Sequence, residues 1–350
     1  MTVILKEKKI MADIQGPYEN GDMHQYAIVL FNLGGPDNLD AVEPFLYHLF
    51  SDRDIFKIPI GQKLFAKLMS FFRALKVKEQ YKHIGGKSPI NEWSELQRSM
   101  LEQELKKVVS GVTVFSAMRY WHPFIKDTAK QIAQKSFDKI ALLPLYPHYS
   151  KTTTGSSFNE WQRVYRGDAK SVTYIRDYFD NPKYIAALNE RIDEGMMHFP
   201  ADVRDDIQIV FSAHGTPERL IKQGDPYLTQ IKETVACVMK ARNFSHEYHL
   251  CFQSKVGPVK WIEPSTEDMI KVLGAKSKKQ LLIVPVSFVS DHIETLFELD
   301  VKYRRLAEKS DIENYVVMQG LNDSKTFVTA LKELAAQALQ IRVNEKQEVN

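Results

Sequence analysis

Short apolar runs rich in β-branched and aromatic residues alternate with longer amphipathic stretches along the whole chain. Tyr26 to Asn32, Val112 to Met118, Lys139 to Leu145 and Val172 to Arg176 read as strands. A second set follows at Ile207 to Ala213, Tyr248 to Phe252, Gln280 to Val286 and Tyr315 to Gln319. Between them, the spacing of apolar positions predicts helices over 38–51, 60–75, 92–109, 123–135, 155–166, 182–198, 226–242, 264–274, 292–309 and 324–342. Strands that are apolar throughout, such as Leu281 to Val286, belong in sheets covered by helices on both faces, so the pattern predicts parallel βαβ units. Four strands fall on each side of residue 180. The predicted fold is therefore α/β, with two Rossmann-like, doubly wound lobes over 26–180 and 181–323, each built on a parallel four-stranded sheet. The last helix, 324–342, is expected to return to the first lobe, and 1–25 and 343–350 to be tails. Ligands of such folds bind beyond the carboxyl ends of the strands, so the cleft between the lobes is the place to look.

Composition narrows the function classes. Hydrophobic residues at 44% and charged residues at 26% are ordinary globular values. The balance of 47 basic against 44 acidic residues is too even for a dedicated nucleic-acid binder. Two cysteines, Cys237 and Cys251, argue against a disulfide framework, a zinc ribbon or a thiolate-ligated iron–sulfur cluster. No run reaches the roughly 18 uncharged apolar residues of a membrane span, and Met1 to Gln25 has no signal-peptide core, so a cytoplasmic protein is expected. No GxGxxG follows the first strand, and neither a Walker loop nor a GxSxG elbow occurs. One stretch differs in texture: Phe45 to Lys78 interleaves Ile, Phe, Leu and Met with Lys and Arg. It fits either a packed surface helix or an apolar lip with a basic rim facing an amphipathic substrate or a membrane.

The informative residues follow strands. His214-Gly215-Thr216-Pro217 comes after Ile207 to Ala213, and fits either a turn histidine or a cleft-facing base. After Val286 comes Ser287 to Arg304, where Glu294 and Glu298 lie four apart and so share a helical face, with Asp291 and His292 just before them. A solvated acidic face or a path for a divalent cation such as Fe²⁺ would both account for this set. Arg119-Tyr120-Trp121-His122 could read carboxylates and stack on a planar ligand. The hydroxyl-rich run from Tyr146 to Ser157 could hold an anion at a helix start.

Together these motifs are familiar. From about Tyr26 to Ile341 the chain resembles ferrochelatase, the terminal enzyme of haem synthesis, through FNLGGPD, YKHIGGKSPI, MRYWHP, LYPHYSKTTTGSS, FSAHGTP, FQSKVGPVKW and SFVSDHIETLFELD, all in the family's order. The resemblance implies a chelatase fold and insertion of Fe²⁺ into protoporphyrin IX. It places His214 and Glu294 on opposite sides of the macrocycle, as the catalytic and metal-handling pair, with Asp291, His292 and Glu298 beside the glutamate. It puts Leu33, Arg119, Tyr120, Trp261 and Phe288 on the pocket wall, and Arg73, Tyr81 and Ser88 at the propionates. The segment 45–78 becomes the lip over the pocket mouth, where members of the family meet the membrane. Iron is then a substrate, and no cofactor is retained. Lys151 and a carboxyl end without cysteine lack the iron–sulfur ligands of animal members. Two further departures stand out: Thr216 replaces the usual Leu or Ile, and Lys302 stands where relatives carry an acid. The expected partners are the porphyrin and ferrous iron, with no nucleic acid, possible peripheral membrane contact, and a monomer or homodimer. Coproporphyrin III, another tetrapyrrole, or a non-catalytic porphyrin carrier remain alternatives.

Metal insertion must remove two pyrrole protons and expose the nitrogen lone pairs by distorting the ring, at about 1–5 kcal/mol drawn from binding. Histidine is a base near neutral pH without perturbation. His214 is therefore the expected base, or else the first metal ligand, and Glu294 a proton acceptor or metal guide.

Overall fold

The computed structural model of the chain describes residues 24–255 and 257–341. The expected tails fall almost wholly outside that range. Eight strands form two parallel sheets: β1 (Tyr26–Asn32), β2 (Val112–Met118), β3 (Lys139–Pro144) and β4 (Val172–Tyr174), then β5 (Gln208–His214), β6 (Tyr248–Gln253), β7 (Gln280–Val284) and β8 (Asn314–Val317). The orders are β2-β1-β3-β4 and β6-β5-β7-β8, the same winding used twice. In each sheet the strand order reverses beside the first strand, which places a crevice at the carboxyl ends of β1 and β3, and another at those of β5 and β7. β7 stops at Val284, short of the expected Val286, because Pro285 has no N–H to give the ladder. β5 runs one step further than expected and carries His214 as its last residue, opposite Gln253 of β6. The histidine is thus held by sheet backbone rather than by a turn.

The helices follow the predicted pattern with one change of kind. The segment expected as a single helix over 292–309 is a π-helix at Glu294–Lys302 that continues as an α-helix at Tyr303–Lys309. The Tyr303 N–H donates to the Glu298 carbonyl five residues back, a wider turn that is frequent at functional sites. The lip segment forms the helices Val42–Phe50 and Gln62–Lys82, the second longer than predicted.

Burial of the apolar strand faces holds the fold together. One core runs through both lobes, joining Ile28, Leu30 and Leu143 of the first sheet to Ile209, Phe211 and Val284 of the second. Helix Lys325–Leu339 packs on helix Ile90–Lys106 and β3, and equally on helix Pro182–Met196, so it seals the joint between the lobes. Polar ties cross the same joint: the buried Gln97 amide donates to the Asn322 carbonyl at 2.9 Å, and His148 Nε2 meets Thr234 Oγ1 at 2.8 Å. These contacts fix the two crevices relative to each other.

Candidate active site

At the crevice beyond β5 and β7, His214 Nδ1 lies 2.8 Å from Glu294 Oε2, the first residue of the π-helix. This corrects the expectation that the two stand on opposite sides of a macrocycle, because a flat ring cannot pass through a hydrogen bond. They meet as one hydrogen-bonded pair. The strand backbone sets the histidine: its N–H donates to Ser287 Oγ at 2.9 Å, and Tyr227 donates to its carbonyl at 3.0 Å. Gly215 must be glycine, since a Cβ there would sit 2.7 Å from the Gln253 carbonyl oxygen.

The acidic row is organised by a residue that spacing alone did not single out. Ser254 Oγ reaches Glu294 Oε2 at 2.7 Å and Glu298 Oε2 at 2.5 Å, so one hydroxyl bridges both carboxylates. Ser254 holds φ at 65°, unusual for a non-glycine residue and typical of strain kept at functional sites. Its one signal in the sequence is its place in the FQSKVGPVKW stretch. Further out, Glu298 Oε1 accepts from Tyr303 at 3.1 Å and from Lys302 at 3.3 Å. Lys302 therefore closes the outer end of the row as a counter-charge. Among the described residues, no three His, Cys, Asp or Glu side chains converge as a ready metal cluster.

Asp291 does not join the row as the expected metal residue. Its oxygens accept from Thr295 Oγ1 at 2.9 Å, from Asn322 Nδ2 at 2.7 Å and from the Gly320 N–H. With its acceptor capacity taken by these donors, it fixes the start of the π-helix. His292 is buried with Nδ1 against the Ser290 carbonyl, and its Nε2 has no hydrogen-bond partner among the described residues and lies 4.0 Å from Glu294 Oε1. Burial lowers its affinity for a proton despite the nearby carboxylates, so it is neutral.

The electrostatics of the pair run the other way. Burial opposes a charge on His214, but the adjoining Glu294, with help from Glu298, overcomes it and raises the imidazole above its ordinary value. Burial likewise opposes ionisation of Glu294, yet the His214 charge and hydrogen bond, with the Ser254 hydroxyl, pull it down to about 2. At neutral pH the Glu294 carboxylate is ionised, and it favours the protonated form of the imidazole beside it. The His214 side chain is 40% exposed and, among the described residues, its Nε2 has no partner. A carboxylate on Nδ1 keeps the proton there and leaves Nε2 as a strengthened base once the ring is neutral.

The ferrochelatase family profile matches residues 25–339. The chain belongs to the ferrochelatase family. A ferrochelatase of Geobacter metallireducens is 47% identical over 316 residues, covering 89% of this chain and 98% of its own length. One from Aquifex aeolicus is 45% identical over 314 residues, covering 88% and 97%. One from a Picosynechococcus strain is 41% identical over 325 residues, covering 91% and 84%. Among solved structures, SirB from Bacillus subtilis with Fe³⁺ superimposes with a TM-score of 0.51 at 13% identity, over 89% of this chain and 96% of that one. That likeness concerns the fold alone.

The remaining residues matched to ferrochelatase positions divide into two groups. Phe288 stands by the pair, its ring 6.2 Å from His214 and 4.4 Å from His292. Trp261 bridges to Pro217 and lies over Gly215, with its indole N–H buried and unpartnered among the described residues. Tyr81 and Ser88 are buried together and hydrogen-bonded, and Tyr81 feels the Glu294 charge, so they close the near edge of the same crevice. Leu33 is half-buried just beyond β1, its carbonyl accepting from the Tyr120 N–H.

Arg119 and Tyr120 depart from the expected pocket wall. Tyr120 is 1% exposed, and its hydroxyl donates to Asp52 at 2.6 Å. Arg119 pairs with the same carboxylate at 3.1 Å and donates to Ser156 at 2.8 Å. The hydroxyl-rich run does hold anions, but they are the chain's own: Ser156 donates to Asp52, and Ser150 to Asp225. Arg73, expected at a propionate, lies with its guanidinium 5.9 Å over the Phe50 ring, about 12 Å of helix rise before Tyr81. Thr216 is 5% exposed, and its hydroxyl has no partner among the described residues.

Proposed function

We propose that the chain inserts Fe²⁺ into protoporphyrin IX, releasing two protons, with His214 Nε2 receiving the pyrrole protons. Membership of the ferrochelatase family carries the reaction class, a metal-inserting enzyme that forms haem. The geometry that carries the residue roles is the 2.8 Å contact between His214 Nδ1 and Glu294, with Nε2 left over. Glu294 is too weak a base at neutral pH to store protons itself. Its work is to hold the Nδ1 proton, raise the basicity of Nε2 and stabilise the imidazolium that forms. Glu298 and Ser254 extend the row outward and support a route for the incoming cation or the outgoing protons, with Phe288 and Trp261 as the apolar grip on the macrocycle.

No resident cofactor enters this reading. Only two cysteines occur in the sequence, and Cys251 is sealed in the core, its thiol pushed up to about 12 by burial, which supports operation without an iron–sulfur cluster. No helix among the described residues is long and apolar enough to cross a membrane. A cytoplasmic enzyme, monomer or homodimer, that touches a membrane peripherally fits helix Gln62–Lys82. One of its faces packs through Ala66, Ala74 and Tyr81, and the other leaves Phe71 and Leu75 exposed at 61% and 76%. Phe65, part of the expected lip, instead packs inward at 6.2 Å from the Phe50 ring.

The test is spectroscopic. Protein mixed with Zn²⁺ or Fe²⁺ and either protoporphyrin IX or coproporphyrin III should show turnover, faster with protoporphyrin. Equal or faster use of coproporphyrin III would overturn the choice of substrate, and stoichiometric binding without turnover would make the chain a carrier.

A further inference from the structure

Helix Gln62–Lys82 and the outer end of the π-helix enclose a groove of about 490 Å³ that the reaction does not use. Its lining brings together Lys76, Lys302, Arg305 and Lys309, with Phe297 and Leu306 between them and no carboxylate. Lys302 is tied to Glu298. Lys76, Arg305 and Lys309 form no ion pair among the described residues. Like charges gathered without a counter-charge repel, and the gathering is stabilised by an anion.

The groove is continuous with the exposed face of the helix. Leu64, Leu68, Phe72 and Lys76 follow at four-residue steps and so form one ridge along it. The first three are 63%, 49% and 71% exposed, and the ridge ends in the cationic groove. The helix as a whole carries six basic residues against one acid, Glu79. An apolar ridge that runs into a cationic pocket has the polarity of an amphiphile with an anionic head.

We propose that this groove binds the anionic headgroup of a phospholipid at the bilayer surface, with Leu68 and Phe72 against the acyl boundary. The proposal rests on the peripheral membrane reading above and adds a lipid preference to it. Basic side chains at an anionic surface each strengthen partitioning on the order of fivefold, through a field that salt screens.

The full-length chain is sedimented with phosphatidylcholine vesicles and with phosphatidylcholine–phosphatidylglycerol vesicles. Wild type should bind the anionic vesicles at least about tenfold more tightly, and the preference should fade with added salt. The exposed-residue variant K76E/R305E/K309E should lose that preference and keep weak binding to phosphatidylcholine, with unfolding temperature and lipid-free insertion unchanged. Lys309→Glu alone should show a smaller loss in the same direction. Phe72→Ser should weaken binding to both vesicle types, which reads the apolar face separately. Wild-type binding to neither vesicle would remove the membrane reading and this proposal together. Equal binding to both, or a triple variant that retains the anionic preference, would remove the headgroup site alone. An unchanged vesicle preference combined with a raised porphyrin KM in the variant would assign the groove to substrate carboxylates and overturn the proposal.

Discussion

The two crevices of this molecule share a winding and differ in what they do with buried charge. Beyond β1 and β3, Asp52 is fully buried and receives Arg119, Tyr120 and Ser156. Every one of those groups is spent on another. Beyond β5 and β7, His214 and His292 each keep an Nε2 without a partner among the described residues, and Glu294 is shared between His214 and Ser254. The first arrangement is what a buried ion cluster needs for stability, since an unpaired charge would be costly. The second leaves proton affinity to be used. A repeated fold thus sets where a crevice lies, and the satisfaction of its polar groups decides whether it is structural or chemical.

Four substitutions probe that contrast, in descending size of effect. His214→Ala should lower the insertion rate by roughly 10²–10⁴-fold while porphyrin fluorescence quenching reports near-normal binding. Asp52→Asn should act on stability, by roughly 3–5 kcal/mol in urea unfolding, because Arg119 loses its buried partner. If it instead abolished turnover in a fully stable protein, the first crevice would be catalytic too and the contrast would fall. Glu298→Gln should raise the apparent KM for ferrous iron on the order of tenfold with kcat largely kept, the loss of one charge-assisted contact. Thr216→Val should leave activity alone and stabilise by up to roughly 1 kcal/mol, since it removes a buried hydroxyl without a partner. A clear loss of stability would mean that the hydroxyl is satisfied after all.

The fold was largely legible in the chain because each strand is a short apolar run bounded by turn residues, and all eight appear with small shifts at their ends. The π-helix was not legible, because Glu294 and Glu298 share a face under either helical period. Seven motifs in order supplied the candidate residues, but not which of them meet: His214, Glu294, His292 and Phe288 gather at one crevice, while Arg119 and Tyr120 are spent on Asp52. Nothing in the spacing of His214 and Glu294 says that they touch. Nor does a motif reveal where its polar atoms are spent. Asp291 looks like a ligand until Asn322 and Gly320 come round to cap it, and Arg119 looks like a carboxylate reader until Asp52 appears beneath it. Those partners come from distant parts of the chain, and only the packing of the elements brings them near.

The central claim is that Glu294 makes His214 a stronger base by holding its Nδ1 proton. A histidine raised in the folded state stabilises it fully below the ordinary value of about 6.5, and that contribution is lost as pH climbs through the raised value. Insertion, which needs the neutral ring, should climb over the same range. The lowered Glu294 keeps the pair intact down to about pH 2. The direct measurement is a nitrogen-15 NMR titration of the His214 ring in wild type and in Glu294→Gln. The account predicts a wild-type midpoint above the ordinary histidine value and a lower one in the variant, where Glu298 is left to oppose burial without Glu294. A wild-type midpoint at or below that value, or one unmoved by the substitution, would contradict it.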